Sequence, residues 1–236
     1  MQKEQEQPPQ TSKKNYRNGH RKRLRDRFRK GGPDAVQEYE LLEMILFRAI
    51  PRRDVKQLTH ELIDRFGDLS AVLSAPRREL TAIHGVSDSV VDEFALVRAV
   101  ALNIGQSTII NKKALANWDA LLAYCRTKMA ENKIEEFHVI FLDKQNNIIA
   151  DEQMGSGTVD HTPVYPREVI KRALELNATA LIIAHNHPSG DPSPSRADIE
   201  ITHRLRDLAH GFNIALHDHL VASRGGVLSF KEQGLL

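Results

Sequence analysis

Apolar residues in the first part of the chain recur at helical spacing. Leu41, Leu42, Ile45 and Leu46 form one stripe. Val55, Leu58 and Leu62 continue at i, i+3, i+7 before Gly67, a residue suited to end a helix. Short helical pieces follow at 69–74 and 77–83, then a longer one from Ser87 to Asn103. Residues 31–104 therefore predict a small all-helical domain, opened by the breaker Gly31-Gly32-Pro33. Residues 105–112 carry no apolar stripe and predict a linker.

The period changes from 113 onward. A helix carrying Trp118, Leu121, Leu122 and Tyr124 precedes the β-rich run Phe137–Leu142. Asn146-Asn147 marks a turn before Ile148-Ile149-Ala150, so a hairpin is predicted. A helix opened by Pro166 buries Val169, Ile170, Ala173 and Leu174. Thr179–Ala184 reads as a buried strand, and a second helix buries Ala197, Ile201, Leu205 and Leu208. Two more strands are expected at 213–216 and 219–222. The fold class is α/β, a mixed sheet covered by helices over 113–236, preceded by the small all-α domain.

Composition bounds the function. The chain has 236 residues, 41% hydrophobic and 27% charged, as in soluble globular proteins. Its apolar runs are too short to span a bilayer, and its basic start lacks the apolar core of a secretory signal. The single cysteine, Cys125, excludes an internal disulfide and a CxxC zinc site, and reads as a small apolar residue within a helix. A cytoplasmic setting without membrane partners is expected. Net charge is +2, yet residues 11–30 hold ten Lys/Arg against Asp26 alone, which makes that stretch +9 and the remainder −7. Residues 1–30 are expected to form an unstructured basic tail, with weak nonspecific nucleic-acid contact through 13–30.

The chemistry concentrates in one segment. His185 and His187 end a strand, where alternation projects both imidazoles from one face and turns Asn186 away. Pro188, Gly190, Pro192 and Pro194 stiffen the following loop, and Asp198 lies in the first turn of the next helix. Two imidazoles and a carboxylate suit one zinc ion per chain, with a fourth position for water. Ser195-x-x-Asp198 is also a helix-capping pattern, which would hold the carboxylate still.

The spacing His185-x-His187-x(7)-Ser195-x(2)-Asp198 resembles the JAMM (MPN+) metalloprotease motif. With Glu135–Asp143, Pro163–Glu168, His185–Gly190 and Leu228–Gly234, it resembles the bacterial RadC family over nearly all of 113–236 and more weakly over 35–104. The resemblance implies an MPN fold and zinc held by His185, His187 and Asp198. It implies a glutamate general acid/base at the start of the first strand. Glu135 and Glu136 compete, and the family spacing favours Glu135. Ser195 would stabilise an oxyanion. The implied activity is a zinc-dependent metallopeptidase or isopeptidase that hydrolyses an amide bond with a zinc-activated water, on an unknown protein or peptide substrate.

Other features point elsewhere. His217-x-His219 is expected to serve the sheet behind the metal, while His138 and His161 have no partner set in the sequence. Leu80–Val91 resembles a helix-hairpin-helix unit, but Ser87 and Val90 replace the second glycine and the later small residue. The alternative reading is a nucleic-acid-associated protein that binds DNA through its basic tail and helical domain.

Overall fold

The computed structural model describes residues 12–110, 114–157 and 164–236, apart from the side chains of 12–18 and Leu115. The chain divides into two compact units at Arg98/Ala99. No described helix is long and apolar enough to cross a membrane.

The first unit is all-helical: α1 (Ser12–Gly31), α2 (Glu38–Ala49), α3 (Lys56–Phe66), α4 (Leu69–Ser74), α5 (Arg77–Thr81) and the start of α6 (Asp88–Ile109). Gln37 and Glu40 form a capping box on α2, and Asp68 caps α4 by accepting from the Ala71 amide. Gly67 ends α3 with φ 108°, a backbone state that favours glycine. Leu42, Leu46, Leu62, Val72, Leu80, Val90 and Phe94 form the core.

The basic stretch differs from the expected tail. Residues 1–11 lie outside the described residues, but Ser12–Gly31 is helical. Leu24 is 2% exposed within the core, and Phe28 packs against it one turn later. Arg21 donates to the carbonyls of Ile50 at 2.6 Å and Pro51 at 2.8 Å, and also to that of Arg53. His20 pairs with Glu43, and Arg27 with Glu40, both acids on α2. These partners offset the self-repulsion that would otherwise keep the segment extended.

Helix α6 also runs through most of the expected linker, reaching Ile109. Gly105, Ser107 and Thr108 are weak helix formers. The two hydroxyls donate back to the carbonyls of Ile104 and Gly105, and buried Ile109 anchors the end.

The second unit continues with α7 (Trp118–Met129), β1 (Glu136–Leu142), β2 (Ile148–Ser156), α8 (Pro166–Glu175), β3 (Ala180–Asn186), α9 (Arg196–His210), β4 (Ala215–Ser223) and β5 (Gly226–Ser229). The sheet order is β2-β1-β3-β4-β5, parallel only between β3 and β4. Asn146 turns the β1–β2 hairpin with φ 63°. On β3, Ile182 and Ala184 pack with Leu121, Cys125 and Met129 of α7. Leu181 and Ile183 pack on the other face with Val169 and Ala173 of α8 and Leu205 of α9. A mixed sheet covered by helices, MPN-like in form, follows the all-helical unit. The two late strands expected from the sequence are one, β4, in which the pairing passes from Leu216 to Asp218 and skips His217. Strand β5 was not anticipated.

Candidate metal centre

His185 is the penultimate residue of β3, and His187 follows the strand. The chain then turns and re-enters α9, whose first turn carries Asp198. The two histidine Nε2 atoms lie 2.9 Å apart. Asp198 Oδ1 is 3.3 Å from His185 Nε2, and Oδ2 is 3.4 Å from His187 Nε2. One potential ligand atom from each residue fits within 4.8 Å of the others.

Hydrogen bonding fixes what these atoms offer. His187 Nδ1 lies 2.9 Å from the Asp191 carbonyl, which only accepts, so in the neutral ring the proton sits on Nδ1 and Nε2 carries a lone pair. His185 Nδ1 lies 2.7 Å from Nε2 of His219 on β4. His219 Nδ1 lies 2.6 Å from the hydroxyl of Thr202 on α9, and that hydroxyl donates to the Asp198 carbonyl. The hydroxyl's single proton is thus engaged, so His219 Nδ1 donates to it. His219 Nε2 then accepts from His185 Nδ1, and His185 Nε2 is left with a lone pair. Two nitrogen lone pairs and a carboxylate converge on one point, where a proton or a cation must lie between them. This donor set fits zinc.

Asp198 is held from behind. The Ser195 amide donates to its Oδ2 at 2.7 Å and the Ser195 hydroxyl at 2.6 Å, while the Asp198 amide donates to Ser195 Oγ at 3.2 Å. Burial alone pushes the Asp198 carboxyl up, but the close contacts with His185 and His187, hydrogen bonds when those rings are protonated, outweigh it and hold the group far below the usual carboxylate range. The bond to Asp198 raises His187, against burial, and the Asp191 carbonyl and the charges of Asp198 and Glu135 act in the same direction. Burial keeps His219 well below the ordinary histidine range, in its neutral form.

The two glutamates are placed differently. Phe137 pairs with His185 and their rings stack 6.5 Å apart, while Glu135, just before β1, lies close enough for its charge to act on His187. Glu136, next to Phe137 on the strand, falls on the opposite face, where its Oε2 accepts from Asn132 at 2.9 Å and lies 3.4 Å from His138 Nε2. His138 in turn lies 3.3 Å from Asp151, whose side chain is 2% exposed and also accepts from Tyr124 and Lys128 at 2.7 Å each. His138 therefore belongs to a polar network away from the metal cluster. His217 Nε2 lies 2.7 Å from Asn146 Oδ1, apart from His219. His161 lies outside the described residues.

Two residues that hold the cluster's elements together escaped the sequence reading. Thr202 belongs to no motif in the sequence. Asn186 reads only as the residue turned away between the histidines. Fully buried, its Oδ1 accepts from the Glu136 amide at 2.8 Å, and its Nδ2 lies 3.1 Å from both the Asn132 and Ile134 carbonyls. It staples the segment that bears Glu135 to the strand that bears His185.

Residues 115–235 match the RadC-like JAB domain. The chain is 54% identical over 213 residues to a UPF0758 protein of Rhodobacter capsulatus, which covers 90% of this chain and 100% of that protein. It is 50% identical over 221 residues to a UPF0758 protein of Ruegeria pomeroyi, across 94% of this chain and 99% of that protein. With the JAMM spacing met by His185, His187 and Asp198, the chain belongs to the RadC/UPF0758 family.

Proposed function

We propose that the protein is a zinc-dependent metallopeptidase or isopeptidase of JAMM type. The observation that carries this reading is the convergence of two histidine lone pairs and one carboxylate, each backed by an outward hydrogen bond. Zinc at His185, His187 and Asp198 would supply a water of pKa near 7 and polarise the scissile carbonyl. Glu135 would serve as general base toward that water and as general acid toward the leaving amine, a role supported by its place just before β1 and its electrostatic reach to His187. Ser195, exposed at the start of α9, turns its hydroxyl from Asp198 to the developing oxyanion. The substrate is a protein or peptide. Proteomic comparison of cells carrying the wild type or His187→Ala tests the reading, because a cleaved partner should appear only with the wild type.

One observation favours a second activity, weak nonspecific nucleic-acid binding. Lys22, Arg23, Arg25, Arg29 and Lys30 stay exposed along α1. The helix-hairpin-helix reading of 80–91 is the weaker route: Gly85 has φ 95°, but Val90, at the position where that motif needs a small residue, is fully buried in the core.

A further inference from the structure

We propose that His219 and Thr202 are positioning residues that hold His185 in its metal-ligating tautomer, so that cation affinity depends on two side chains that never touch the ion. The inference rests on the reading of the cluster as a metal site and adds to it.

The two residues close a ring of hydrogen bonds between ligands from different elements. His185 on β3 donates from Nδ1 to His219 on β4; His219 donates to Thr202 on α9; Thr202 donates to the main-chain carbonyl of Asp198, the third ligand. Every proton in the ring points the same way. Reversing it would move the His185 proton to Nε2, the atom that faces His187 and Asp198, and would leave the site without that donor. Only the Thr202–Asp198 link fixes the direction, because a carbonyl cannot donate.

The ring cannot easily rearrange. His219 is fully buried. Phe230 stacks on it with centroids 4.4 Å apart, and Phe137 meets it edge-on at 6.0 Å. No water is needed to satisfy either of its nitrogens. The acceptor behind His185 is a neutral imidazole in place of the more usual carboxylate or carbonyl, so its orientation has to be set by a further residue. Thr202 performs that function.

Zinc affinity of the full chain, measured with zinc alone in competition with a chromophoric chelator, tests this. His219→Leu should weaken binding about 10- to 100-fold. His219→Gln, whose side-chain oxygen can still accept from His185, should recover most of it. Thr202→Val, of nearly equal shape, should weaken binding by a smaller factor, and Thr202→Ser should match the wild type. Thermal melts identify any variant that fails to fold, and Thr202→Val then carries the test. If the wild type binds zinc and both His219→Leu and Thr202→Val bind it equally well, the inference is wrong while the metal site stands. A wild type that holds no zinc overturns both.

Discussion

Asn186 and Glu136 are joined by a bond from the Glu136 amide to Asn186 Oδ1, 2.8 Å long and bridging fifty positions of sequence. It ties the turn before β1 to the strand that presents the histidines. Asn186→Ala leaves one buried amide and two carbonyls without their partner and should cost about 2 kcal/mol of unfolding free energy. Hydrogen exchange should quicken at 132–136 while zinc content holds. Unchanged exchange there would show that the turn is fixed by other means.

Metal content should separate ligands from the general base. The wild type should carry about one zinc per chain after mild purification. His185→Ala or Asp198→Ala should lose it. Glu135→Gln should keep it and abolish hydrolysis, and Glu136→Gln should be mild. The reverse pattern between the glutamates would move the proton-transfer role to Glu136.

Asp151 should shape the acid limb of stability. Burial raises its carboxyl, but His138, Lys128 and Tyr124 outweigh this and hold it at about 2. A depressed carboxylate contributes stability above its unfolded value, about 3.9 for aspartate, and that stability fades as pH falls toward 2. Asp151→Asn should remove roughly 1 kcal/mol of the stability difference between pH 7 and pH 3. Urea melts at pH 7 and pH 3 measure it; equal slopes in wild type and variant would refute the assignment.

Cys125 should be chemically silent in the native state. It is 1% exposed, and burial pushes its thiol up to about 12. A thiol reagent should label it only on unfolding, with the labelling rate tracking denaturant.

Helix α1 changes the design of any nucleic-acid experiment. Removal of residues 1–30 deletes Leu24 from the core, and Leu24→Ala alone should cost about 2–4 kcal/mol. Lys22→Glu with Lys30→Glu should instead leave the melt near wild type and remove salt-sensitive binding to DNA. Binding unaltered by this pair would place the contact elsewhere.

The metal cluster was legible because its residues sit within one short segment and obey strand alternation. Its supports were not, because their meaning depends on distant partners. Asn186 bonds to residues 50 and 54 positions away, and Thr202 meets His219 across 17. Helix α1 was obscured by charge density: Leu24 and Phe28 are its two apolar positions in the charged half, and the acids that neutralise it lie on α2. Strand β5 has four residues, too few to establish a period.

His217 occupies no pairing position on β4, since Leu181 faces Leu216 and Ile182 faces Asp218. The count of residues between His187 and His219 is therefore elastic by one. A homologous chain lacking this residue would keep its site in phase, and a gap placed here in an alignment would mark conserved geometry. An insertion one step later, between Asp218 and His219, would turn His219 away from the slot behind His185 and change the chemistry of the ligand it supports.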